Sequence, residues 1–459
     1  MPRKSNFVMK KSKKELRQSI VCEWLNTHYL QHGYLRHDVI TDRLQIWDSK
    51  PTPNPSLNGG ELSPRTNSFP LGDATLWRNL TDKDINTMVC DCVHQTEVNV
   101  SVTEMWTALK SDLVPSVHPI REWLNQLHPY SSAEPDWIDM VAQKVKVKPY
   151  SHSDGLEDGS AYSLEVKDKE ASDAFWRTCF KKWFVAMVAS WMKDEVVNHT
   201  VLVLVGRQGI YKTTWLDRLI PPELREYSSK MPLSGQITKD DRLRLCENAM
   251  LNIDELDAIS GREMNIVKSL LTSSDVNERA AYGRLKERRV RLASFCASTN
   301  NREFLTDITG NRRWLPFEVE SIQNPFNDLI LYDRLYAQAK AYVECGYFAY
   351  WFDMEEMQVL EKHNEEFRAM ENEEQLLPIL FDVPAEGKGK FMTTAEISDR
   401  LVTYGGIKKP MNVRRLGTIL GKNKYKDVTR RIGGVKTRGW IVYQRDTQEI
   451  DAMKRLLAK

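Results

Sequence analysis

The stretch VLVLVGRQGIYKTTWLDRL, residues 201 to 219, runs five apolar residues into a tight turn and then into helix-forming sequence. Gly206, Lys212 and Thr213 fit the spacing G-x-x-x-x-G-K-[ST], with Tyr211 where the second glycine belongs. A loop between a buried strand and a helix can turn its backbone N–H groups onto phosphate, and the helix N-terminus adds favourable polarity. The predicted cradle is Gly206, Gln208, Gly209, Ile210, Tyr211, Lys212, Thr213 and Thr214. Lys212 would neutralise the β- and γ-phosphates of a nucleotide such as ATP, and the Thr213 hydroxyl would bind Mg²⁺.

Three further stretches follow in an order that suits the same chemistry. NAMLNIDELDAI (248–259) reads as an apolar strand ending in two carboxylates. Asp254 would hold Mg²⁺ through its water shell, and Glu255 is placed to accept a proton from an attacking water. VRLASFCASTNN is a mostly apolar strand ending in Thr299 and Asn300, and an uncharged polar group there can orient water or touch the γ-phosphate. TGNRRW (309–314) supplies Arg312 and Arg313, suited to stabilising charge in a transition state. Each alone also reads as something ordinary: an acidic helix cap, a turn, a surface ion pair. Four in one order, each at a strand end, point to a nucleotide site.

Elements that would position these residues can be read from periodicity. Strand and helix patterns alternate from about 173 to Val319, the signature of a parallel-sheet α/β core. DAFWRTCFKKWFVAMVASWM (173–192) predicts an aromatic amphipathic helix, and core packing is favoured over a stacking platform. Upstream, ELRQSIVCEWLNTHY, TDKDINTMVCDCV, SVTEMWTALKSDLV and HPIREWLNQL predict helices, and YLRHDVITDRLQIWD a hairpin. Residues 50–75 are rich in Pro, Gly, Ser and Asn and read as a long loop; SHSDGLEDGS (151–160) reads as a boundary.

At 459 residues the chain predicts several domains. Its 41% hydrophobic and 28% charged content is that of a soluble globular protein, and its net charge is only +2. The charge is unevenly spread. Residues 1–17 carry seven Lys/Arg against Glu15 alone, 353–382 are acidic, and the tail from Ala385 has 18 Lys/Arg against 7 Asp/Glu. Basic ends around a near-neutral middle suit a nucleic-acid-handling chain, although solvated charged faces give the same count. The seven cysteines are scattered, with only Cys90 and Cys92 close, so reduced thiols in a cytoplasmic protein are expected. FVAMVASWM (184–192) is far too short to span a bilayer, and no membrane partner is expected.

GRQGIYKTTW, IDELDAI, NERAAYGRLKERR, ASTNN and FLTDITGNRRWLPFEV together resemble the virulence-associated protein E (VapE-like) family of phage and mobile-element P-loop proteins, related to superfamily 3 helicases. The resemblance is strong over roughly 170–320. It implies an AAA+-like core, ring-shaped homo-oligomers, most simply hexamers, and a role in replicating the element's DNA. By it, Lys212 and Thr213 map to Walker A, Asp254 and Glu255 to Walker B, Asn300 to the sensor, and Arg312 and Arg313 to the arginine-finger position. Tyr211 departs from the pattern. With Gly209 left for the tight turn and ordinary helix-start dihedrals at 211, a tyrosine fits with its ring turned away from phosphate, and the site is expected to work.

Residues 278–291 hold Arg279, Tyr282, Arg284, Lys286, Arg288, Arg289 and Arg291. The resemblance implies a hairpin here that enters the ring channel and grips single-stranded DNA, cations on phosphates and the aromatic on a base; a solvated basic turn is the other reading. In the tail, two helices, the second carrying Arg414 and Arg415, precede the hairpin KDVTRRIGGVKTRGWIVYQ, a winged-helix pattern suited to duplex DNA or to docking a protein.

The expected organisation is a mostly helical N-terminal domain (1–150), an α/β P-loop core (160–325), a helical acidic connector (326–384) and a basic winged-helix-like domain (385–459). The expected function is an ATP-hydrolysing DNA helicase or translocase. An ATP-dependent DNA-binding switch that recruits replication or transposition proteins without unwinding shares every motif. A structural DNA binder with a silent nucleotide site is disfavoured by Lys212, Asp254 and Glu255 together.

Overall fold

The computed structural model describes residues 12–47, 77–149, 169–231, 238–254, 256, 261–278, 287–305, 311–327, 329–369, 372–385, 389–408 and 410–457. By internal contacts the chain divides into two units, residues 1–298 with 317–353, and residues 299–316 with 354–459. The fold is mixed α/β.

In the first unit, the N-terminal part joins helices to a small sheet. Strands β1 (Leu35–Asp38) and β2 (Arg43–Trp47) form the expected antiparallel hairpin, flanked by β3 (Trp77–Asn79) and β4 (Ser116–Val117) in the order β3-β2-β1-β4. The helices Asp82–Thr96 and Val102–Leu109 begin where the sequence predicts. Thr81 and Ser101 accept from the backbone N–H groups of Asp84 and Glu104, whose carboxylates reach back in reciprocal capping boxes.

The larger sheet contains β5 (Val145–Val147), β6 (Val201–Val205), β7 (Ser228–Lys230), β8 (Met250–Ile253), β11 (Ser294–Thr299) and β12 (Trp314–Ile322), ordered β5-β12-β6-β11-β8-β7. Between β8 and β11 the short strands β9 (Asp275–Glu278) and β10 (Glu287–Val290) pair antiparallel. β8 runs parallel to both β7 and β11. Every residue of β6, β8 and β11 is buried, as for strands covered on both faces; β6 is an unbroken apolar run, while β8 includes Asn252 and β11 includes Ser294, Ser298 and Thr299. Val145–Val147, which the sequence places in the N-terminal segment, is an antiparallel partner of β12 and belongs to this sheet.

The aromatic helix spans Lys169–Met192 and is buried along nearly its whole length after Trp176, so core packing holds and the stacking-platform alternative does not. Its tryptophans also carry polar tethers. Trp176, Trp183 and Trp191 donate their indole N–H groups to the carbonyl oxygens of Ala142, Phe295 and Ala249 at 2.9, 3.0 and 3.2 Å. Burial of these rings stabilises the packing, while each N–H finds the partner it needs inside.

Arg291 departs from its expected place among the DNA-facing cations. It is 1% exposed and donates to the carbonyl oxygens of Asn198, Leu270, Leu271, Ser273 and Ala293. Three of those carbonyls lie at or just past the C-terminal end of the helix Gly261–Thr272, where unpaired carbonyls and the helix dipole favour a cation. Its neighbours are also engaged: Arg288 pairs with Asp275, and Arg289 with Glu247. The reason for the departure is a shortage of carbonyl partners at that helix end, which a planar fork of five N–H groups supplies.

Among the described residues, no helix is long and apolar enough to cross a membrane. Arg291→Met is expected to destabilise the first unit by about 3 kcal/mol, because several buried carbonyls lose their donors at once. Arg291→Lys should recover little of that, since one ammonium cannot span the fork. Urea unfolding of both variants checks this, and a lysine variant as stable as the parent would refute it.

Candidate functional site

The loop after β6 folds as the glycine and lysine positions predict, with one correction. Gly206 has φ +154°, and a Cβ there would lie 3.1 Å from both Val319 O and Ile210 Cδ1, so the chain passes β12 too closely for a side chain. Gly209 has φ +85°. Tyr211 was expected in ordinary helix-start dihedrals. It has φ 68° and ψ 17°, the left-handed conformation, and the helix Lys212–Asp217 starts immediately after it. Tyr211 thus adopts the backbone a glycine would take more readily, at the strain that a side chain adds there. Its ring is 38% exposed and stands edge-on to Phe326, centroids 6.3 Å apart. Gln208 is exposed, Ile210 and Thr214 half-buried.

Lys212 is buried, and its Nζ donates to the carbonyl oxygens of Gly206 and Arg207 at 2.6 and 2.8 Å. The ammonium therefore sits over the loop rather than in solvent. At the far end of the short helix, Asn252 on β8 donates to Asp217 at 2.6 Å, tying helix to sheet. Burial raises the pKa of that aspartate.

Asp254 follows β8 directly, and its carboxylate meets two hydroxyls. Thr213 Oγ1 and Ser298 Oγ lie 3.1 and 3.0 Å from Asp254 Oδ1, and 3.0 Å from each other. Lys230, the last residue of β7, donates to Asp254 Oδ2 at 2.7 Å. Burial pushes the carboxyl pKa up, but Lys230, Ser298 and Thr213 outweigh it and hold the group below its ordinary value. Hard oxygen donors of this kind suit a magnesium ion that keeps most of its waters. Thr213 stands in the first turn of the helix that follows β6, Ser298 near the end of β11 and Asp254 just past β8, and these three strands are neighbours in the sheet.

Sequence reasoning named Thr299 and Asn300 at the end of β11 and missed Ser298 and Lys230. All six residues of β11 are buried, so no alternation marked which side chain faces the carboxylate. The Thr299 hydroxyl instead accepts from the N–H of Asn301, in a turn. A basic residue three positions into an apolar-poor strand left no signal for Lys230. Glu255 lies outside the described residues, as do Arg279, Tyr282, Arg284 and Lys286.

In the second unit, Asn300 is exposed just after β11. Arg312 and Arg313 end the 3₁₀ turn Asn311–Arg313. Two buried residues that the sequence did not single out hold this turn. Asn364 Nδ2 donates to the carbonyls of Asn311 and Trp314 at 2.7 and 2.9 Å, and His363 Nε2 lies 2.6 Å from Pro316 O. Arg312 is exposed and Arg313 half-buried.

The tail of this unit has strands β13 (Phe381–Asp382), β14 (Lys390–Met392), β15 (Lys426–Ile432) and β16 (Val435–Gln444), with helices Thr394–Gly405 and Val413–Lys422 between β14 and β15. β13, β14 and β15 all pair antiparallel with β16, and the turn of the β15–β16 hairpin is Gly433-Gly434. Arg414 and Arg415 lie in the first turn of the second helix, the former exposed. In the hairpin, Arg431 stands directly opposite Lys436, both exposed, with exposed Ile432 and Val435 at the tip. Like charges opposed across a ladder are unfavourable without an anion nearby.

Strand, glycine turn, lysine and helix, with a carboxylate and two hydroxyls beside them, gather at the strand ends of an α/β fold. Residues 152–369 match the virulence-associated protein E-like domain. No curated protein matches the chain. Among solved structures it is similar to the apo C-terminal region of NrS-1 (305–718), at 10% identity over 94% of this chain and 100% of that one, TM-score 0.39. An A-form apo structure of the same region is similar at 10% identity, over 90% and 98%, TM-score 0.40.

Replacing the strained tyrosine tests the backbone reading. Tyr211→Gly is expected to keep or raise the thermal unfolding midpoint, by relief of about 1 kcal/mol. Tyr211→Ile, β-branched and worse in that conformation, should lower it. Equal midpoints for the two variants would show that residue 211 is not held left-handed.

Proposed function

We propose that the protein is an ATP-hydrolysing DNA motor, a helicase or translocase, acting in replication of a phage or mobile element. The observation that carries the reading is the meeting of Thr213, Ser298 and Asp254 within 3.1 Å, beside a loop whose lysine already lies over its carbonyls. That grouping is what a P-loop needs to hold a magnesium–triphosphate complex. The virulence-associated protein E-like domain spans the loop, Asp254, the sensor position and the arginine pair.

In this reading the loop N–H groups and Lys212 hold the β- and γ-phosphates. Thr213 and Asp254 would hold the ion, with Ser298 orienting both. Magnesium would neutralise charge on the phosphates. Glu255 takes the proton from the attacking water. Asn300 orients that water, and Arg312 and Arg313 reach the nucleotide of a neighbouring copy in a homo-oligomeric ring, hence the buried Asn364 that fixes their turn. Arg279, Tyr282, Arg284 and Lys286 grip a single strand in the channel.

Two helices followed by a two-stranded hairpin support a winged helix in the tail, and the opposed Arg431 and Lys436 favour a polyanion over a neutral protein surface. Duplex DNA is the proposed partner, with Arg414 and Arg415 at the helix that would face it.

The nucleotide reading is tested by substitution. Lys212→Ala should abolish binding of a fluorescent ATP analogue, whereas Glu255→Gln should bind it normally and lose turnover. Full hydrolysis by either variant sinks the assignment. Strand displacement on a forked duplex then separates a motor from a non-unwinding switch.

The tail reading is tested by salt. Replacing Arg414, Arg415, Arg431 and Lys436 together with alanine should weaken duplex binding and reduce the slope of log K against log salt by roughly 3 to 4, about 0.9 per lost phosphate contact. An unchanged slope would assign the basic face to an acidic protein instead.

A further inference from the structure

The mouth of the nucleotide loop carries an apolar aromatic surface that phosphate binding does not explain. Tyr211 is 38% exposed and Phe326 67% exposed, and the two rings meet edge to face at 76°. The Arg218 guanidinium carbon lies 5.7 Å from the centroid of Phe326. Leu329 and Leu331, a few residues on, are 82% and 56% exposed. Exposed rings that meet at one place usually mark a surface that something covers.

Position decides what that something is. Tyr211 is joined directly to Lys212, and the 323–331 segment leaves β12, the strand whose Val319 oxygen would lie 3.1 Å from a Cβ at Gly206. The aromatic surface is thus continuous with the phosphate loop. A glycine would adopt the left-handed backbone at 211 without strain, yet a tyrosine stands there with its ring turned to Phe326. Flat π-faces next to a triphosphate cradle suit one part of a nucleotide above all, its base.

We infer that the Phe326 ring, with Tyr211 standing edge-on against it, forms the platform on which the nucleotide's purine base stacks, with Arg218 as the positioning residue beside Phe326. The inference rests on the reading of the loop as a triphosphate site. It assigns phosphate affinity to the loop and base affinity to the aromatic pair, two contributions that separate by ligand. Cation–π attraction from Arg218 holds the Phe326 ring in place. The strained backbone at Tyr211 is retained because it aims the second ring.

The experiment measures calorimetric affinities of the full chain, with magnesium, for ATP and for inorganic triphosphate, which has no base. Phe326→Ala should weaken ATP by about five- to 150-fold, the range that base stacking supplies, and leave triphosphate within twofold. Phe326→Trp should restore ATP binding. Because Phe326 is exposed, its replacement should fold, and retained triphosphate binding proves that it has. Equal losses for both ligands, or no loss for either, overturn the inference. If Lys212→Ala loses both ligands while Phe326→Ala keeps ATP, the loop reading survives and the base platform alone falls. If the unmodified chain binds neither ligand, the loop reading fails and the platform with it.

Discussion

Strand β11 lies between β6 and β8, and that insertion brings Ser298 within hydrogen-bonding reach of residues 85 and 44 positions upstream. Thr213 and Asp254 each follow one of the flanking strands. With β11 inserted, β6 and β8 stand next but one, each about 4.7–4.9 Å from the strand that carries Ser298. The hydroxyls and the carboxylate share one small volume because β11 and β8 end side by side and the helix after β6 starts next to them. Lys230 joins from β7 on the other side of β8, completing the charge balance around Asp254.

A site at the ends of buried strands needs a rigid sheet beneath it. The helix Lys169–Met192 provides rigidity in two ways. It buries large rings, and its tryptophan N–H groups are spent on specific carbonyls of the elements they cover. Directional bonds of this kind resist sliding in a way that apolar contact alone does not. Arg291 does the same at the foot of the helix Gly261–Thr272, linking it to the segment before β6 through Asn198. Both devices are polar groups buried with their partners present, so they specify arrangement more than they add stability.

The second unit follows the same logic at its arginine pair. At the turn that exposes Arg312, Asn364 and His363 grip the carbonyls of Asn311, Trp314 and Pro316 from a helix about fifty residues away in sequence. In the basic hairpin the opposite holds. Arg431 and Lys436 are left facing each other at the surface, while Arg438 is matched by Asp427. An unbalanced pair beside a balanced one marks where an external anion would relieve repulsion.

Local chemistry made much of this legible. Thr81, Ser101 and Thr393 each begin a helix with an acidic residue three positions on, and each forms the capping box that spacing implies. β6 shows as an unbroken apolar run, and β8 as one interrupted only by Asn252, because strands covered on both faces carry no polar alternation. Gly206, Lys212, Thr213 and Asp254 could be named from type and spacing, since a loop's turn and a strand's end are set within a few residues. Tertiary structure alone decided the rest. A uniformly buried strand hides its facing, so Ser298 could not be told from Thr299. An arginine's charge says nothing of whether carbonyls or solvent surround it, so Arg291 read as a surface cation. Helix-start dihedrals were the local default for Tyr211, and the left-handed conformation belongs to the loop that leaves β6, passes β12 closely at Gly206 and enters the next helix. Sequence specifies what a residue can do within its own turn or strand; which distant atoms it meets depends on strand order, which no local pattern encodes.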